Sequence, residues 1–117
     1  MTEVPQHIPE FLQVHLEEIQ KLCRIHKVKS LWVFGSVLGA SFSLDSDIDF
    51  LYEWDDKAIS DEEYLDNLWT LLDALEELLG HKVDWVYYPT LENPYFKEEV
   101  EESKVLLYEQ EAEEIFA

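Results

Sequence analysis

The chain has 117 residues, enough for one domain with a real core and too few for two. Apolar residues make up 47% of it and aromatic residues 14%, which excludes an intrinsically disordered chain. Its 27 acids against 8 bases leave a formal charge of −19, which argues against nucleic acid as a ligand, because that affinity comes from Lys and Arg neutralising phosphates.

Such a charge suits a basic protein partner, although a solvated acidic surface accounts for most of it. Cys23 is the one cysteine, so no intrachain disulfide and no cysteine-rich zinc site is expected. The opening MTEVPQHIPE lacks the basic and apolar regions of a signal peptide, and no apolar run approaches the ~20 residues of a membrane span. The expectation is a soluble, cytoplasmic protein with no membrane association.

Along the chain, Ile8, Phe11, Leu12, His15, Leu16, Ile19, Leu22, Cys23 and His26 recur at helical spacing. They predict one amphipathic helix running to about Lys27, with Pro9 in its first turn and Cys23 buried. Lys21, Arg24, Lys27 and Lys29 gather at its C-terminal end, where the helix dipole favours cations. A secondary reading sends one of them to a bound phosphate. His7, His15, His26 and His81 show no metal-ligand spacing with the acids.

Two short runs rich in β-branched and aromatic residues, Leu31–Phe34 and Ile48–Tyr52, read as strands over about 30–34 and 47–54. Between them lies a loop of small polar residues that begins with Gly35-Ser36. Asp47 and Asp49 open the second strand two residues apart, so they share a sheet face ~6.6 Å from each other. At an effective dielectric near 20 that repulsion costs roughly 2–3 kcal/mol. A cation between the carboxylates relieves it, and Mg²⁺ suits because it takes carboxylate oxygens and keeps positions open for phosphates. Gly35 permits close backbone approach, and the amides of a turn attract phosphate oxygens. A phosphate grip followed by a metal clamp is the logic of phosphoryl or nucleotidyl transfer.

Trp54-Asp55-Asp56-Lys57 breaks the strand pattern. Ser60 and Glu63 form a capping-box signal for a helix that carries Leu65, Leu68, Trp69, Leu72, Leu75, Leu78 and Leu79 inward and ends at Gly80. A third strand, about 82–88, is interrupted by Asp84. A strand–helix–strand crossover places it parallel to the second strand, with Asp84 on or near the face of Asp47 and Asp49. Taken alone, Asp84 is equally well an edge residue turned to solvent or bonded to a lysine; beside the Asp-x-Asp pair, the reading as a third metal ligand is preferred. Tyr95–Ser103 reads as a short helix and Val105–Tyr108 as a last strand. The lead 1–7 and the acidic tail 110–117 are expected to be flexible. The fold class is α/β (α+β), a single domain with a small mixed sheet flanked by helices. Trp54, Tyr87, Tyr88 and Tyr95 are read as core packing, with a base pocket or a partner surface as the alternative.

Gly35-Ser36, ten residues, then Asp47-Ile48-Asp49 resembles the Gly-Ser-x10-Asp-x-Asp signature of the polymerase-β-type nucleotidyltransferase superfamily. The fuller run GSVL…F.LDSDIDFLYE, with VDWVYYPTLENPYFKEEVEESKVLLYE, is similar to the minimal nucleotidyltransferases, which pair with a helical HEPN-domain toxin. The resemblance implies two Mg²⁺ ions held by Asp47, Asp49 and Asp84, with Asp84 also helping to take a proton. It further implies that Gly35 and Ser36 bind the distal phosphates of ATP as the nucleotide substrate. AMP would pass to a tyrosine of the HEPN toxin and silence it. One departure is that many relatives carry an Arg or Lys between Gly-Ser and the acids, where this chain supplies none. The alternative is therefore a catalytically weak or inactive antitoxin that neutralises its partner by binding alone, and oligomer formation is left open. Transfer to a small hydroxyl compound is disfavoured, since no second domain builds an acceptor pocket.

Overall fold

A computed structural model of the protein describes residues 8–39, 42, 43, 45–55 and 57–110. The lead 1–7, all but the first residue of the expected flexible tail, and Ala40, Ser41, Leu44 and Asp56 lie outside the described residues. Four strands form one mixed sheet: β1 (Val28–Phe34), β2 (Ile48–Trp54), β3 (Val83–Tyr87) and β4 (Val105–Glu109), in the order β3-β2-β1-β4. β1 is antiparallel to both β2 and β4, whereas β2 and β3 run parallel. The parallel pair follows from the crossover through α3 (Asp61–Leu79), as the strand–helix–strand order requires.

The sheet has two unlike faces. Leu31, Val33 and Phe50 pack against Leu16, Ile19 and Cys23 of α2 (Leu16–Ile25) and against Leu71, Leu75 and Leu79 of α3. Cys23 is fully buried, which pushes its thiol pKa up. Among the described residues, the other face carries α4 (Pro94–Ser103), whose Val100 packs with Phe34 and Leu51. None of the helices among the described residues is long and apolar enough to cross a membrane.

Two expectations need correction. The first helix is two: α1 (Glu10–Gln13) and α2, separated at Val14–His15. At the break the His15 amide bonds back three residues to Leu12, where the β-branched and exposed Val14 weakens helix continuity. The break lets Phe11 stack on Phe42 (5.6 Å) while Leu12 and Leu16 enter the core. In α3, Leu65 and Trp69 do not point inward; they are 60% and 61% exposed, and the fully buried positions are Leu71 and Leu75. The apolar arc of this helix is wider than one core can cover.

Both ends of α3 are closed as their residues dictate. Ser60 accepts from the Glu63 amide and donates back to its carboxylate (2.9 Å). Gly80 takes the left-handed conformation at φ 71°. A Cβ at Gly80 would meet nothing within 4 Å, so Gly80→Ala carries backbone strain alone. It should lower unfolding stability by about 1 kcal/mol in urea titration, with an unchanged slope. A neutral result would mean that the left-handed cap is not what ends the helix.

Candidate active site

Asp49 lies opposite Phe34 of β1 and level with Asp84 of β3. Strand alternation puts Asp49 with Leu51, and Asp84 with Val86, on the face away from α2 and α3. The 3₁₀ turn Gly35–Leu38 follows β1 directly and brings its first residue against Asp49. Gly35 sits at φ +77°, and a Cβ on it would lie 2.5 Å from Asp49 Oδ2. No other residue type fits that approach.

The next amide, that of Ser36, donates to the Asp49 carboxylate. Even so, the Asp49 pKa is pushed up to about 6. Partial burial is the largest cause, followed by the negative charge of Asp84, a hydrogen bond shared with Asp84, and the charge of Asp47. The two carboxyl groups are thus in direct contact, and Asp49 keeps its proton to a higher pH than an ordinary carboxylate. Asp47 is exposed, one residue before β2 rather than in it. Its loop is fixed by Ser46, whose Oγ accepts from the Ser43 amide (3.0 Å). The Ser46 carbonyl meets His81 Nδ1 at 3.0 Å, and the His81 ring packs on Phe42 (4.9 Å) and Phe11 (5.4 Å).

All five residues singled out in the sequence therefore fall at one end of β1, β2 and β3. Among the described residues, however, no group of three or more His, Cys, Asp and Glu side chains is placed to hold a metal ion. What is present is a carboxylate pair with a third acid at its edge. That donor set fits Mg²⁺, which takes one or two carboxylates and completes its octahedron with water and substrate phosphate. The like-charge contact that raises the Asp49 pKa is the feature a cation would relieve.

Arg24 stands in the last turn of α2 as the helix pattern suggested, whereas the secondary reading, a base from this group at a bound phosphate, finds no support. Lys27 pairs with Glu63 (3.7 Å) and Lys29 with Glu53 (3.9 Å), both away from the Gly35 end of β1. Lys21 and Arg24 belong to α2, which covers the other sheet face. Lys82 is nearer in the backbone: its carbonyl accepts from the Ile48 amide (2.9 Å), between Asp47 and Asp49 in sequence. α4 supplies a neighbouring shelf, with Phe96 set edge-on to Phe34 at 5.9 Å. Farther along, Lys104 lies over the rings of Trp32 (5.6 Å) and Tyr88 (5.4 Å) and pairs with Glu101, which also accepts from Tyr88. No motif marks these residues; only the path of α4 over the sheet does. Of the aromatic candidates, Trp54 is core and Tyr95 stands 84% exposed.

Comparison with known proteins agrees with this arrangement. Residues 17–113 match the family "Polymerase beta, Nucleotidyltransferase". A Methanocaldococcus jannaschii protein provisionally named a protein adenylyltransferase is 36% identical over 99 residues, covering 77% of this chain and 95% of its own. The solved structure of a protein provisionally named a minimal nucleotidyltransferase is 31% identical, with a TM-score of 0.66 and coverage of 86% and 98%. A complex of a tri-AMPylated Shewanella oneidensis HEPN toxin with an MNT antitoxin holds a chain of the same fold. That chain is 22% identical, with a TM-score of 0.57 and coverage of 89% of this chain and 77% of that one.

The raised Asp49 pKa has a consequence for stability. The folded chain binds this proton more tightly than the unfolded one, so stability falls as pH rises from the ordinary carboxylate range near 3.8 through about 6. In metal-free protein, Asp49→Asn should raise Tm at neutral pH. The gain should shrink to nothing below about pH 4. A variant no more stable than the parent at pH 7 would mean that the pair is not strained.

Proposed function

This chain belongs to the polymerase beta nucleotidyltransferase family, and on that premise we propose that it transfers AMP from ATP to a hydroxyl of a protein partner, a tyrosine of a HEPN-type toxin, and thereby acts as the antitoxin. The observation that carries this reading is the contact of Asp49 with Asp84 across the parallel β2–β3 pair, closed on one side by Gly35.

In this scheme the Gly35-Ser36 turn takes the distal phosphates through its backbone, since Gly35 leaves no side chain in the way. Asp47, Asp49 and Asp84 would hold Mg²⁺, two ions by family resemblance, which supply charge neutralisation for the leaving pyrophosphate and lower the pKa of the acceptor hydroxyl. Asp84 is the more exposed of the paired acids, so it is the group we assign to accept the hydroxyl proton. The sheet face beyond Asp49 and Asp84 stays open at its edge, which suits a macromolecular acceptor better than a small enclosed one. The names of the relatives and the AMPylated toxin in the Shewanella oneidensis complex support a protein as acceptor and AMP as the transferred group.

Neutralisation by binding alone is the second reading. It is favoured by the loop between Ser36 and Asp47, which carries no base to balance a triphosphate. Incubation of the co-expressed partner with α-labelled ATP and magnesium separates the two. Transfer should label the partner, and Asp47→Asn or Asp49→Asn should cut labelling by at least about two orders of magnitude. Gly35→Ala should do the same with the fold intact by circular dichroism. An unlabelled partner that the Asn variants still neutralise would replace the enzymatic reading with the binding one.

A further inference from the structure

The exposed residues of α3 are not scattered. Leu65, Trp69 and Leu72 follow one another at i, i+4 and i+7, the spacing of a helix-pairing seam. Leu65 and Trp69 are 60% and 61% exposed, and Leu72 is half-buried. Glu76, next in the same row, reaches over the sheet edge, where Oε2 accepts from the Val83 amide at 3.0 Å. This row therefore runs along the flank of α3 above edge strand β3. The opposite flank, with Ala74 and Leu78, faces Leu22 and Ile25 of α2. The core uses a third row, Leu71, Leu75 and Leu79. Of the apolar rows of this helix, the one through Leu65 and Trp69 is left exposed among the described residues.

The charges beside the uncovered row have a single sign. Every ionisable residue of α3 between Asp61 and Glu77 other than Tyr64 is acidic, and none is Lys or Arg. On the helix surface Trp69 neighbours Asp66 at i−3 and Asp73 at i+4, and Leu65 neighbours Glu62 at i−3. Lys27 offsets Glu63 alone. A second copy of this chain would set acid against acid along the seam, so self-pairing is disfavoured. Charge complementarity selects a cationic helix instead.

We propose that the Leu65–Trp69–Leu72 flank of α3 is a docking seam for a basic amphipathic helix of a protein partner. It lies on the sheet face opposite the Asp49–Asp84 pair. Binding there needs no nucleotide chemistry, and the seam stands or falls separately from the transfer reading. Trp69 is the anchor: a large, exposed aromatic flanked by carboxylates is the residue type that dominates helix-in-groove interfaces.

The full-length protein is titrated with two 21-residue helical peptides, one with Leu at the seam positions and Lys beside them, the other with Glu in place of Lys. Isothermal calorimetry should show 1:1 binding of the Lys peptide only. A polyanion would hold any polycation, and Trp69→Glu tells these apart: it adds negative charge yet removes the anchor. Docking requires Trp69→Glu to weaken the Lys peptide by about 30-fold, with Leu65→Glu behaving alike. Binding of a fluorescent ATP analogue should be unchanged in both variants. Equal or tighter peptide binding by Trp69→Glu would reduce the effect to bulk charge and overturn the proposal. So would sedimentation showing a wild-type dimer that Trp69→Glu dissolves, since a second copy would then be the occupant.

Discussion

Two carboxylates pressed together on adjacent strands are the constraint around which this molecule is arranged. Asp49 and Asp84 repel, and partial burial sharpens the repulsion, so something must hold β3 in register against it. The opposite faces of the same strands do so. Trp85 stacks on Tyr52 at 4.3 Å and meets Phe50 edge-on at 5.9 Å. Tyr52 in turn contacts Trp54 and Tyr87. A slip of one residue would turn this aromatic row outward and the aspartates inward, at a cost far above the carboxylate repulsion. The aromatic side of β2 and β3 thus fixes the acidic side, and the Gly35 turn closes on it because no Cβ intervenes.

How much of this was legible depended on how local each signal was. Gly35-Ser36, the Ser60–Glu63 cap and Gly80 are short-range features whose physics is complete within a few residues, and the structure has them where the residues say, while Asp47 falls one residue short of the strand its spacing from Asp49 suggested. Asp84 needed one topological rule, the parallel crossover, and is adjacent to Asp49 as that rule requires. The orientation of Leu65 and Trp69 was not legible. A helix with apolar residues at 65, 68, 69, 71, 72, 75, 78 and 79 is apolar over most of its circumference, and periodicity alone cannot say which arc the sheet covers. Nor could local sequence show that α4 lies over the face of Asp49 and Asp84, since the contacts of Phe96, Val100 and the following Lys104 reach strands far back in the chain.

The break between α1 and α2 belongs to the same class. Its reason lies in the tertiary cluster of Phe11, Phe42 and His81, which ties the N-terminal segment to the loop bearing Asp47 and to the α3–β3 turn. His81 carried no metal-ligand signal in the sequence, and in the fold it is a packing and hydrogen-bonding residue that fixes the Ser46 carbonyl. His26 is buried, with Nδ1 against the Leu22 carbonyl at 2.9 Å. Both histidines serve the scaffold.

A net charge of −19 is at first sight a poor setting for a triphosphate. The placement of the charge softens the conflict. The acids of α3 project from the helical layer, on the far side of the sheet from Asp49, and at physiological ionic strength charges separated by more than about 8 Å are largely screened through solvent. What a phosphate at Gly35 would feel is local: the carboxylate cluster and the Ser36 amide. A cation between the carboxylates turns the nearest and least screened of those charges from repulsive to attractive. The distant acids are then free to act on whatever approaches the outside of α3. One acidic chain can in this way carry a phosphate site on one sheet face and a surface for a basic helix on the other, with the sheet as the partition between them.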